Sequence, residues 1–133
     1  MKRLYRLEFF SLKEDRRKER LLIGVFSGYS KADQTAKFLL RNTKSFSDDP
    51  HDYMITHKSI HGDLKDIRQV YQIESDHVDE IPDKADVYRS DYFTNKTDAE
   101  NELSRMKASV SGSQWTLNSY IIDAVIASER FVK

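Results

Sequence analysis

The stretch FSGYSKADQTAKFLL, beginning at Phe26, is echoed by FTNKTDAENELSRM, beginning at Phe93. Each copy starts on an aromatic residue, passes through small polar residues and then turns apolar at helical spacing. In Ser30-Lys31-Ala32-Asp33 and Thr97-Asp98-Ala99-Glu100 a hydroxyl stands three residues before a carboxylate, which is the spacing of a capping box. Behind the first box Ala32, Ala36, Leu39 and Leu40 share one helical face. Ala99, Leu103, Met106 and Val110 do the same behind the second. Ser30 and Thr97 are therefore expected to cap two helices. A chain that writes one local programme twice is expected to fold one unit twice.

The flanking segments extend the echo. Leu4-Tyr5-Arg6-Leu7-Glu8-Phe9 and Val70-Tyr71-Gln72-Ile73-Glu74 alternate apolar and polar, the period of a half-buried strand. Leu21 to Phe26 and Val87 to Phe93 follow as second strands, and Tyr53 to Lys58 and Trp115 to Tyr120 as third ones. The expected fold is thus α+β: two tandem ββαβ units, residues 1–66 and 67–133, related by a pseudo-two-fold and sharing one core. Each unit has one helix on a small antiparallel sheet in which the first strand lies between the other two, as a right-handed crossover allows. Neither unit is stable alone, because three strands and one helix bury too little. The expected core draws on Tyr5, Leu7, Ile23, Val25, Leu39, Ile55, Tyr71, Ile73, Leu103, Met106, Trp115 and Leu117. The apolar run from Ile121 to Val132 reads as a seventh strand or a docking element.

The order Leu-Tyr-Arg-Leu-Glu at Leu4–Glu8, Ile-Gly-Val-Phe-Ser at Ile23–Ser27, Ser30–Ala36 and Tyr53–Ile55 resembles short uncharacterised domains of bacterial and phage-borne small proteins. The resemblance implies a fold and carries over no reaction and no catalytic residue. In the second half Ile23-Gly24-Val25 is replaced by Ser90-Asp91-Tyr92, so its middle strand departs from the pattern.

Composition narrows the function classes. With no cysteine there is no disulfide scaffold, thiolate metal site or cysteine nucleophile. The first twenty residues lack the apolar run of a signal peptide, and no stretch is apolar enough to span a bilayer, so a cytoplasmic protein is expected. Net charge is zero, with 22 basic and 22 acidic side chains, which argues against nucleic acid as the partner. His57 and His61 have a metal-ligand spacing for a helix, yet their segment alternates as a strand, which sets the rings too far apart for one ion. Asp48-Asp49-Pro50-His51-Asp52 lacks the pattern of a calcium loop and reads as a turn. Gly24 and Gly28 fit no phosphate loop, and Ser27 stands one place late for a nucleophile elbow. No cofactor, metal or catalytic residue is assigned, and catalysis is not expected.

What remains is charge placement. The basic connection Lys13 to Arg20 is interspersed with acids and reads as a solvated hairpin tip. Its counterpart holds Asp76, Asp79, Glu80, Asp83 and Asp86 against Lys84. Those five acids are the expected contact surface for a basic protein partner. The expected function is a non-catalytic protein-binding module, of the immunity, antitoxin-like or host-enzyme-inhibiting kind carried by mobile elements. The rival is an enzyme or small-ligand sensor with a pocket between the units, lined by Tyr53, His57, Trp115 and Tyr120.

Overall fold

A computed structural model of the chain describes residues 2–13, 20–76, 87–109 and 114–126. In chain order the elements are β1 (Arg3–Ser11), β2 (Arg20–Phe26), α1 (Tyr29–Asn42), α2 (Lys44–Asp48), β3 (His51–His61), β4 (Gln69–Asp76), β5 (Val87–Phe93), α3 (Lys96–Ser109) and β6 (Gln114–Ile121). The strands hydrogen-bond in the order β2-β1-β3-β5-β4-β6.

This corrects the expected fold. The strands lie where alternation places them, but they do not form two tandem ββαβ units with one helix each. They form one six-stranded mixed sheet with three helices among the described residues. Two features of the sequence produce the difference. β3 runs for 11 residues, past the expected end at Lys58, and its Ile60 and His61 pair in parallel with Tyr92 and Phe93 of β5. The loop expected after the first helix contains α2, which forms because Phe46 can bury there: its ring meets Phe9 edge-on at 5.1 Å.

The chain divides into two compact units, Arg3–His57 with Ile121–Lys133, and Met1–Lys2 with Lys58–Tyr120. In the first, β1 and β2 pair antiparallel from Tyr5–Phe26 to Phe10–Arg20, with a bulge between Leu7 and Glu8. Leu7, Phe9, Ile23, Phe26 and Phe46 make the core, and α1 seats Ala32 and Ala36 on it. Small residues there let the helix approach closely, while Tyr5, Leu39, Tyr53 and Ile55 close the rim. β1 is buried on both faces, not one. Arg6 and Glu8, on its polar side, lie 3.5 Å apart and nearly sealed from solvent.

In the second unit β4 and β5 pair antiparallel, Tyr71 against Phe93 and Glu74 against Arg89, with a bulge between Gln72 and Glu74. The Ser90 hydroxyl fills that bulge, accepting the Ile73 N–H at 2.9 Å and donating to the Asp91 carbonyl at 2.7 Å. Ile73, Phe93 and Ala99 form a small core that Tyr71, Leu103, Trp115 and Leu117 complete under α3. Met106 is half-buried.

The helix starts also differ from expectation. Gly28 is the cap position of α1, without a side-chain cap, so Ser30 sits inside the first turn. In α3 the cap is Asn95, whose Oδ1 accepts the Thr97 and Asp98 amides at 2.8 and 3.2 Å. Both helices begin two residues earlier than the hydroxyl spacing suggests. Asparagine caps a helix at least as well as threonine does.

Candidate cleft on the helix face of the second unit

β5 and α3 stand side by side in the second unit, and a cleft of about 400 Å³ opens between them. The strand wall carries Tyr88, Ser90, Asp91 and Phe93, with His61 from the end of β3; the helix wall carries Asp98, Asn101, Glu102 and Arg105. Residues 98, 101, 102 and 105 share a wall because three- and four-residue steps return to one helical face. His61 reaches the strand wall because it ends β3 paired with Phe93 of β5; Gly62 then turns the chain at φ +109°, where a side chain would collide with the Thr94 hydroxyl.

A histidine–carboxylate contact and an arginine–glutamate ion pair shape the cleft. His61 Nε2 lies 3.0 Å from Asp91 Oδ2, and its ring stacks on Phe93 with centroids 5.0 Å apart. Arg105 donates to Glu102 through Nε at 2.5 Å and Nη2 at 2.8 Å. That forked hydrogen bond holds the Glu102 carboxyl below its ordinary range and raises the Arg105 guanidinium. Tyr88, edge-on to Trp115 at 5.8 Å, has its phenol raised first by burial and then by Glu102 and Asp91. The lining thus holds three carboxylates against one guanidinium, beside two aromatic rings.

Ser90, the serine hydroxyl of the strand wall, is engaged with backbone partners at the β4 bulge. Among the described residues no group of three His, Asp or Glu side chains could hold a metal ion.

Of the five acids expected to form the contact surface, Asp76 ends β4. Asp79, Glu80, Asp83 and Asp86 lie outside the described residues. Of the residues of the rival pocket, Tyr53 and His57 belong to the first unit and Trp115 and Tyr120 to the second. Tyr53 donates to Asp33 on α1 at 2.6 Å, and His57 meets the Tyr5 ring edge-on. Trp115 joins the apolar layer beneath α3, whereas Tyr120, on the other face of β6, donates to Glu74 at 2.8 Å. Asn118 also donates to Glu74 at 2.8 Å, and Arg89 lies 3.5 Å from it.

The sequence reading missed the cleft because its residues come from three separated elements, none with a motif. The one legible signal was the acidic helical face of Asp98 and Glu102. No family model, curated protein or solved structure matches the chain. No helix among the described residues is long and apolar enough to cross a membrane.

Proposed function

We propose that the chain is a non-catalytic protein-binding module that receives a basic side chain of its partner in the cleft between β5 and α3. The charge of the lining carries this reading: Asp91, Asp98 and Glu102 outnumber Arg105, which already pairs with Glu102. A lysine or arginine entering beside the exposed Tyr88 meets carboxylates and an aromatic ring together, the environment that favours a desolvated cation. The acids Asp76, Asp79, Glu80, Asp83 and Asp86 stand in the sequence just before β5 and have the same sign, so they would steer a basic partner. An immunity, antitoxin-like or inhibitory role belongs to this class of function. Ser90's engagement with the backbone is the reason catalysis is not preferred.

The test is a titration of the protein with a short arginine-containing peptide and its glutamine analogue, followed by Trp115 fluorescence. Saturable binding of the arginine peptide is expected, weakening with salt and falling roughly tenfold or more in the Asp91→Asn, Glu102→Gln double variant. Equal binding of the two peptides, or no loss in the variant, would sink the proposal.

A further inference from the structure

The segment Ile121–Ile126 occupies an edge of the first unit. β2 heads the strand order and has β1 as its one strand neighbour, so its outer edge would present backbone donors and acceptors to any extended chain. Ile122 bridges Val25 in parallel. The Asp123 amide donates to the Val25 carbonyl and the Ile126 amide to the Ile23 carbonyl, each at 2.8 Å. Between them the Ala124 carbonyl crosses Gly24 so closely that a Cβ there would come within 2.6 Å of its oxygen. Val125 packs against the core of the unit.

A latch fixes this segment. Asp123, at φ 64°, accepts the Ser27 amide on Oδ1 at 2.8 Å. Its Oδ2 accepts the Ser27 hydroxyl at 2.8 Å and Lys31 Nζ at 3.1 Å. The carboxylate therefore sits at the start of α1, where the helix dipole also favours negative charge. A groove, a glycine that clears it, an apolar anchor and a charged latch together make a peptide-recognition site along the strand edge.

We propose that the outer edge of β2 is a peptide-docking groove filled in cis by residues 121–126, and that in trans it takes the same segment of a second copy of this chain. The chemistry selects that occupant. The groove fits an apolar–Asp–x–Val–Ile sequence that turns at the Asp, and every copy carries one. Exchange creates no new contact type, since the same bonds form between copies. Among the described residues two backbone hydrogen bonds, the Val125 contact and one latch hold the segment, and Ile121 at its start is half-exposed, so the segment opens more readily than the core. Within one chain the tether keeps the segment at high effective concentration, so exchange grows with protein concentration.

The probe is a labelled synthetic peptide of residues Tyr120–Ile126, followed by fluorescence polarisation on full-length protein. Asp123→Ala weakens the resident segment and leaves the groove intact, so it should bind the peptide about tenfold or more tightly than the wild type does. Gly24→Val obstructs the groove and should not bind. An equal mixture of the two variants should form one-to-one pairs by light scattering, because one chain supplies an intact segment and the other an intact groove. Gly24→Ala, with a smaller obstruction, replaces Gly24→Val should the latter not fold. Absence of peptide binding to Asp123→Ala, or equal binding by all chains, overturns the proposal.

Discussion

Replacing Asn95 with alanine should destabilise the protein by about 1 kcal/mol, whereas replacing Thr97 should not. The first turn of a helix leaves four backbone amides without helical partners, and Asn95 Oδ1 satisfies two of those of α3. The site is exposed, so water takes over part of the loss and the cost stays near the middle of the capping range. Thr97 is exposed at the second helical position. Thr97→Ala exchanges a β-branched residue for the best helix former, an effect between zero and about 0.5 kcal/mol of stabilisation. For a chain of this size a urea slope of about 2 kcal/mol/M converts the Asn95→Ala loss into a midpoint shift of roughly 0.5 M. Urea melts followed by Trp115 fluorescence suit the measurement, since that ring lies in the layer beneath α3. Asn95→Asp should keep the midpoint within a few tenths of a molar, because aspartate caps as well and suits the dipole. A Thr97→Ala midpoint that falls as far as that of Asn95→Ala would place the cap at Thr97 and refute the assignment.

Three further outcomes are expected. Leu7→Ala, at a fully buried position, should cost about 2–5 kcal/mol in the same melts, and a cost under about 1 kcal/mol would show that β1 does not face this core. The Tyr53 phenol is pushed up to about 12 by its hydrogen bond to Asp33, with burial second. The folded value lies above the ordinary 10.0, so the contribution is complete below pH 10 and lost as pH rises through about 12. The ultraviolet difference between wild type and Tyr53→Phe should therefore centre near 12, and a centre at 10 removes the bond from the account. For Asp123, partial burial pushes the carboxyl up, but the Ser27 and Lys31 hydrogen bonds outweigh it and leave it below its ordinary value of 3.8. Its contribution is present above that value and lost as pH falls through the lower folded one. The stability gap between wild type and Asp123→Asn should accordingly close in acid, and a gap independent of pH would contradict the latch.

Local pattern made the strands legible and left their assembly open. Tyr5, Leu7, Tyr71 and Ile73 face the helix sides of their sheets because strand periodicity fixes a face. The strand order also repeats locally, β2-β1-β3 and then β5-β4-β6, with the first strand of each trio in the middle. Alternation does not say which edges meet, so the parallel pairing of Ile60 and His61 with Tyr92 and Phe93 had no signature. α2 was hidden for a different reason. Five residues are too few for a helical period, and Phe46 alone in a polar stretch looks like loop. The hydroxyl–x–x–acid quartets misled because Ser30 and Thr97 lie within a turn of the true starts, where acceptors at neighbouring positions compete for the same amides. The docking of residues 121–126 did leave a trace in the sequence: a glycine inside a β-branched strand, Gly24, marks close backbone approach.

β1 and β4 lie inside their trios and bury alternate polar residues, Arg6 and Glu8 in one, Gln72 in the other. Gln72 shows what such burial costs. Its Nε2 donates to the Ser90 carbonyl at 2.8 Å, whereas its Oε1 is buried without a hydrogen-bond partner. Gln72→Leu gives up one hydrogen bond worth about 1 kcal/mol, removes the unsatisfied oxygen and adds apolar burial in similar volume. The terms oppose and are alike in size, so the variant should lie within about 1 kcal/mol of the wild type. Gln72→Ala loses the same hydrogen bond and leaves a cavity, so it should cost about 2 kcal/mol or more. Urea melts of the two variants decide the matter. If leucine is as damaging as alanine, the amide itself holds the β4 bulge in register, and packing at Gln72 is secondary.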